Sequence, residues 1–573
     1  MKKILGYIRP HLGIMTVGLI IKFFASMMDL VIPSLLEKII DEVVPQKDPK
    51  QVFFWGGMMV LCAVCSILSN ITANRMAATS AGKVTRGIRH DLFSKVTHLT
   101  AAQTDSFTIP SLVSRLTSDT YNVNEMISRV QRMGVRAPIL LIGGILITLT
   151  MDPVLTLVLV GTLPFIFVVV YLVTKFSVPM YTYCQSVLDR MVRTVQENVT
   201  GVRVIKALSK TEYEKNRFDC VNEELSQSEQ RASAVMAITN PTTTMILNLG
   251  LCVVVLVGAA RVNGGSAQPG DIIAFLSYFT IILNAMLGIT RIFTLCAKGV
   301  ASANRIAEVL DTPEEMQPKE LPTLETNAKI VFENVSFSYH KQRDNLTNVN
   351  FSLLPGQTLG ILGTTGSGKS TLIQLLIRFY DPDRGNIYID GKNIRSMDRE
   401  SLATRFGMAF QSDFWMADSI RANVDFGRGL SDEAIRNALV NAQAAEFVDG
   451  LAEGWDHQLT VRGTNLSGGQ KQRLLIARAL AGEPEILILD DSSSALDYKT
   501  DAALRRALRM EYPNSTKVLI AQRISAIRHA DLILVLDDGQ VVGQGTHEEL
   551  LETCPMYALI AENQMGGGQA DAE

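Results

Sequence analysis

Charge is scarce in this chain. Only 19% of its 573 residues are charged while 47% are hydrophobic, which is apolar for a water-soluble protein. Charge of one sign is missing as well. The 54 Lys and Arg against 57 Asp and Glu leave a net charge of −3, so no basic surface argues for nucleic acid. Cysteines number seven, at 62, 65, 184, 220, 252, 296 and 554, without metal-ligand or disulfide spacing. Most stand in apolar stretches, where a buried free thiol is the ordinary state. Met1-Lys2-Lys3 superficially resembles the start of a signal peptide. The apolar stretch after it lacks a small-residue cleavage site and runs on as a long helix, which argues against that reading. A chain of this length suggests two or three domains.

Long apolar runs are what the first half has in abundance. Residues 154–173 carry no charge, nor do 232–260, and each run can span the ~30 Å hydrocarbon layer. Similar segments near 13–36, 52–78, 135–151 and 271–293 complete six expected helices, the fourth and fifth set at 153–175 and 240–262. Met151-Asp152-Pro153 predicts a tight hairpin between the third and fourth. Lysine and arginine are distributed unevenly between the connections. Eight stand in 80–136 and nine in 175–234, whereas the outer connections hold only Lys47, Lys50 and Arg261. The N-terminus and both long connections are therefore expected in the cytoplasm. Heptad-like apolar spacing, as in Leu92, Val96 and Leu99, predicts that the helices continue below the membrane. Asp29 and Arg291 fall in the first and sixth spans. A charge there is a functional candidate by default, although Arg291 can snorkel to the interface and Asp29 can bond a neighbouring helix.

From about residue 329 the texture changes to short apolar strands alternating with amphipathic helices, an α/β pattern. Strand 359–362 runs into Gly363-Thr364-Thr365-Gly366-Ser367-Gly368-Lys369-Ser370-Thr371 and then a helix. That context makes the run a phosphate-binding loop, its glycines letting N–H groups wrap the β-phosphate while Lys369 neutralises charge and Ser370 reaches Mg²⁺. About a hundred residues later stands Leu466-Ser467-Gly468-Gly469-Gln470. In this order and spacing the two motifs resemble one family, the ATP-binding cassette (ABC) ATPases, over about 329–562. The six-helix half looks like that of the exporter-type ABC transporters.

The resemblance implies ATP and Mg²⁺ as ligands and assigns further residues. Asp490, closing Ile486-Leu487-Ile488-Leu489-Asp490, looks like the Walker B aspartate that holds the metal, with Ser370 and Gln411 beside it. Tyr339 matches the aromatic that stacks on adenine, a flat and weakly polar ring. Ser494-Ala495-Leu496-Asp497 matches the loop that crosses the dimer interface. In the family the LSGGQ signature caps ATP held by a second cassette, at a helix N-terminus whose dipole favours an anion. Residues 197–207 and 111–119 resemble the exporters' intracellular loops, with a coupling helix expected over 208–216. The expected architecture is a six-helix α-helical transmembrane domain at 1–310, a linker at 311–328, a P-loop α/β nucleotide-binding domain (the ABC cassette) at 329–562 and a disordered tail at 563–573. The implied location is the cell inner (plasma) membrane, multi-pass, with the ATP-binding domain cytoplasmic.

Three positions depart from the family. Asp491 stands where a glutamate normally polarises the attacking water. Withdrawing a carboxylate by about one C–C bond, ~1.5 Å, takes it outside the ~2.6–3.2 Å reach of a base. Gln522, in Ile520-Ala521-Gln522-Arg523, replaces the switch histidine; its amide still donates a hydrogen bond but cannot take up positive charge. Val461 replaces a glutamate that precedes Arg-Gly. The signature itself is intact. This combination resembles the degenerate-site subunit of heterodimeric bacterial exporters. It implies a second ABC half-transporter as partner, a small lipophilic substrate, and an own site that binds ATP but splits it slowly. The alternative is a regulatory or channel-gating subunit in which nucleotide binding matters more than turnover.

Overall fold

The computed structural model describes residues 2–313, 316–339, 341–411, 414–492 and 495–565. They form two compact units, Met1–Thr97 with Ile109–Thr312, and His98–Thr108 with Pro313–Glu573. Along the chain run α1 (Leu12–Lys38), α2 (Pro49–His98), the short α3 (Ala101–Phe107), α4 (Arg136–Met151), α5 (Pro153–Thr200), α6 (Thr211–Ala237), α7 (Thr239–Asn263) and α8 (Pro269–Leu310). Six helical stretches are long and apolar enough to cross a bilayer. At about 1.5 Å per residue, α2 and α5 each outrun a ~30 Å hydrocarbon layer at least twofold, so they project well beyond it. Leu157, Phe165 and Leu256 keep 68–74% of their surface exposed, which suits helices solvated by lipid tails.

The first unit is centred on α8, which buries Phe275, Tyr278, Phe279 and Ile282. Tyr278 donates its hydroxyl hydrogen to the Leu30 carbonyl of α1 at 2.6 Å, satisfying the one polar atom such a ring brings inside. A Cβ at Gly250 of α7 would lie 2.5 Å from Phe279 Cζ, so only glycine lets α7 approach α8 this closely. The 151–153 hairpin is held by Asp152, 2% exposed. It accepts from the Val154 and Leu155 N–H groups to cap α5, and pairs with Arg261 Nε at 2.6 Å. Asp29 does bond neighbouring helices, accepting from Ser66 of α2 and from Arg136 Nη2 at 2.8 Å, while Arg291 is exposed.

The helix expected over 208–216 is interrupted. A short helix ends at Ala207, Ser209 adopts φ 53°, and α6 begins only at Thr211. A positive φ at a non-glycine residue cannot continue a right-handed helix. In the first connection the chain instead forms α3, whose capping box has Thr100 and Gln103 exchanging side-chain and backbone hydrogen bonds.

The second unit holds two sheets among its described residues. One is antiparallel in the order β2–β1–β4–β5, with β1 Ile330–Phe337, β2 Leu346–Leu353, β4 Arg384–Ile389 and β5 Lys392–Asn393. The other is mainly parallel in the order β10–β9–β3–β8–β7–β6. Its strands are β3 Thr358–Gly363, β6 Phe406–Ala409, β7 Ile486–Asp490, β8 Thr516–Ile520, β9 Leu532–Asp537 and β10 Gln540–Gly545. Strand β7 is buried along its full length, as a parallel strand covered on both faces requires. The linker is pinned rather than loose: Lys319 N donates to Arg395 O and Leu324 N to Gly391 O. The tail beyond 565 and Ser494 lie outside the described residues.

The helix order and charge asymmetry give a direct test of orientation. Ser266→Cys, in the exposed turn between α7 and α8, is expected to react with an impermeant maleimide on intact cells. Lys210→Cys should react only after lysis, and the reverse pattern would overturn the topology.

Candidate functional site

Strand β3 ends at Gly363, and the helix that follows, α9 (Lys369–Leu376), starts after five intervening residues. The loop between them turns through Gly366 at φ 86° and Gly368 at φ 100°. A Cβ at Gly368 would stand 2.7 Å from Leu346 Cδ2 as well as in a left-handed conformation, so glycine is obligatory there. Around Gly366 a Cβ would meet nothing within 4 Å. Thr364, Thr365 and Ser370 are exposed beside it, and Ser367 Oγ is buried without a hydrogen-bond partner. Open glycine backbone, free hydroxyls and an orphaned polar atom fit an oxyanion ligand at the start of a helix. Lys369 Nζ donates to the Gly363 and Thr364 carbonyls at 2.8 and 2.7 Å. Burial pulls its pKa down, opposed by the nearby Asp490 and Asp491 carboxylates.

Asp490 closes β7 and is buried; burial raises its pKa, the neighbouring Asp491 carboxylate adds to that rise, and Lys369 opposes it. Asp491 follows at φ 48° and donates its N–H to Ile520 O of β8 at 3.0 Å. Burial raises its pKa too, countered by Lys369 and Arg523. Gln522, just beyond β8, donates from Nε2 to Asp491 Oδ2 at 3.3 Å. Two of the three positions read from the sequence as departures from the family pattern are therefore bonded to each other. Tyr339 is 37% exposed and sends its hydroxyl to Thr371 and Gln374 of α9. Its ring meets Tyr380 edge-on at 5.1 Å. Gln411 lies exposed just past β6, and Val461 is 69% exposed.

Ser467 is the N-cap of α10 (Gly468–Leu480). Its hydroxyl accepts from Gln470 N, and its own N–H donates to Gln470 Oε1 at 2.9 Å, closing a capping box. Leu466 packs on the adjoining core, and Gly468 and Gly469 lie against Ala495. A Cβ at Gly469 would come within 3.1 Å of Ala495 O. Leu496 is buried, and Asp497 caps the helix after it by accepting from Thr500 N at 2.7 Å.

Two contacts at the site were invisible in the motifs. Gln472, one turn into α10, accepts from Ala495 N at 3.0 Å and donates to Asp491 O at 3.4 Å. It joins the signature helix, the 495–497 loop and the 491 position. Asp105 of α3 accepts from the Tyr380 hydroxyl at 2.5 Å, which places this helix beside the aromatic pair. The Thr100-x-x-Gln103 spacing was the available signal for α3; Gln472 had none.

Six membrane-spanning helices and a P-loop α/β unit on one chain define a multi-pass membrane protein carrying a cytoplasmic nucleotide cassette. The family profiles agree, the ABC transporter transmembrane region matching residues 15–286 and the ABC transporter cassette 346–494. The chain is 34% identical to the uncharacterized ABC transporter ATP-binding protein YfiB of Bacillus subtilis, over 99% of both chains. It is 29% identical to the putative ABC transporter ATP-binding protein exp8 of Streptococcus pneumoniae, over 99% of this chain and 97% of that one. The structure of a bacterial Atm1-family ABC exporter with ATP bound superposes with a TM-score of 0.81 at 24% identity, covering 96% and 98% of the two chains. The chain belongs to the ABC transporter family, and its fold is that of the exporters.

Proposed function

We propose that this chain is one half of a heterodimeric exporter for small lipophilic substrates, with an ATP site that binds and holds nucleotide and a signature that completes its partner's site. Mg-ATP would be held by Lys369, Ser370, Gln411 and Asp490, with Tyr339 against the adenine. The single observation that carries the slow-site reading is the Gln522–Asp491 hydrogen bond. A general base needs a free lone pair within ~2.6–3.2 Å of the attacking water. Here a carboxylate one methylene short of the family's has an oxygen engaged by an amide that cannot become cationic. Gln472 supports the second half of the proposal, because it fastens the signature helix to the loop at 495–497. A homodimer would own two impaired sites.

The test is retention. Rapidly desalting the assembled transporter during turnover should recover about one unhydrolysed ATP per dimer, the stoichiometry of one holding site in two. Equal hydrolysis at both sites, or full-rate ATP hydrolysis and transport by this chain alone, sinks the proposal. ATP-driven uptake into inverted vesicles separates an exporter from a nucleotide-sensing channel subunit.

A further inference from the structure

We infer that the membrane-spanning unit binds an anionic amphiphile, its phosphate or carboxylate head among Lys22, Arg129, Arg132 and Arg136 and its apolar tail extending along α1 and α8. This deepens the exporter proposal by naming a substrate class, and rests on it only for the direction of transport.

The four cations line one cavity of about 540 Å³ between α1, α2, the helical stretch 129–134 with the start of α4, and the middle of α8. A cation within a membrane span is a functional candidate unless it snorkels to the interface. Lys22 does not snorkel: it is 3% exposed, about ten residues or ~15 Å into α1 from Leu12. Its ammonium donates to Asn70 Oδ1 at 2.6 Å and to Asn74 Oδ1 at 3.1 Å, which orients it without neutralising it. Arg136 is paired with Asp29 and Arg129 with Glu125. Among the described residues neither Lys22 nor Arg132 makes a salt bridge. Four cations less two paired carboxylates leave two positive charges on the cavity. Among the described residues, Arg136 Nε is also buried without a partner, and the Arg132 side chain makes a single hydrogen bond, from Nε to Ser128 O. The lining therefore has donors to spare, and it repels a cationic lipophile.

The shape adds the tail. A second cavity, of about 680 Å³, shares Arg136, Leu140 and Ile281 with the first and continues past Asp29, whose carboxylate is paired with Arg136, along Ile32, Leu36 and Leu276. These residues lie farther along α1 and nearer the start of α8, hence toward the outer side. A charged end opening into an apolar one, both of ligand-binding size, matches a head and a tail.

The experiment measures nucleotide-free binding to the full-length chain in nanodiscs of zwitterionic lipid. The probes are dodecyl phosphate, laurate, dodecyltrimethylammonium and inorganic phosphate. Either anionic amphiphile should bind at least roughly tenfold tighter than the ammonium compound and than inorganic phosphate; which of the two binds better identifies the head. Lys22→Gln and Arg132→Gln should each weaken that binding about tenfold, whereas Arg132→Lys should retain it. Arg132→Gln, which removes one hydrogen bond, covers the case in which Lys22→Gln fails to fold, and ATP binding by the cassette reports the fold. Equal affinity for the ammonium compound, equal affinity for bare phosphate, or unchanged affinity in Arg132→Gln would each overturn the inference. None of these outcomes bears on the exporter proposal, which stands or falls on ATP-driven uptake.

Discussion

Changing Ser467 is expected to silence the assembled transporter, while Asp491→Asn leaves most of its ATPase activity. The signature donors face nucleotide held by the partner in the proposed dimer, and removing one preorganised donor to developing charge costs about 10²–10³ in rate. Ser467 is also the N-cap of α10, and loss of a cap alone destabilises by about 0.5–2 kcal/mol. Ser467→Ala would confound the two effects. Ser467→Asp separates them, because a carboxylate is an equally good cap yet sets a negative charge where a phosphate belongs. ATPase activity of the complex should fall about 10²-fold in both variants, with the melting temperature of the Asp variant unchanged. Asp491→Asn should reduce the total less than about twofold, since a site without a working base contributes little to it. If Ser467→Asp keeps its activity, or if Asp491→Asn abolishes it, the assignment of the two sites is reversed.

Much of this molecule was legible because its signals are local. A bilayer demands about 20 consecutive apolar residues, and a phosphate loop demands glycines at fixed spacing, so both can be read from neighbours in sequence. What escaped is the identity of partners that meet from far along the chain, even where, as for Asp29, a bond to a neighbouring helix was expected. Asp29 meets Arg136, and Gln522 meets Asp491, across 107 and 31 residues. Neither contact has a periodicity. The two cavities of the first unit are likewise the joint product of α1, α4 and α8, visible only once those helices pack. Residues 208–216 depart from the expected helix for another reason. Their polar, charge-rich composition is compatible with a helix, but Ser209 takes a left-handed conformation, and propensity is a weak guide to single-residue breaks. The grouping of His98–Thr108 with the second unit has no compositional boundary to mark it.

The Gln522–Asp491 bond leads to a prediction about restoring activity. Asp491→Glu advances the carboxylate by about 1.5 Å, but Gln522 can still donate to the longer side chain and engage it. Gln522→His supplies a group able to become cationic, but leaves the carboxylate short. Each change alone is expected to raise hydrolysis at this site less than about fivefold, and the pair about 10²-fold, within the ~10²–10⁴ that a positioned base contributes. Residues in direct contact should depart from additivity in this way. The readout must be confined to one site. A Ser467→Asp background provides that, because it silences the partner's site while leaving the chain's own ATP site untouched. Single-turnover hydrolysis in this background gives the four corners of a double-mutant cycle. A gain in the double variant no larger than the product of the two single gains would show that the residues act independently. The hydrogen bond between them would then not be what holds the site slow.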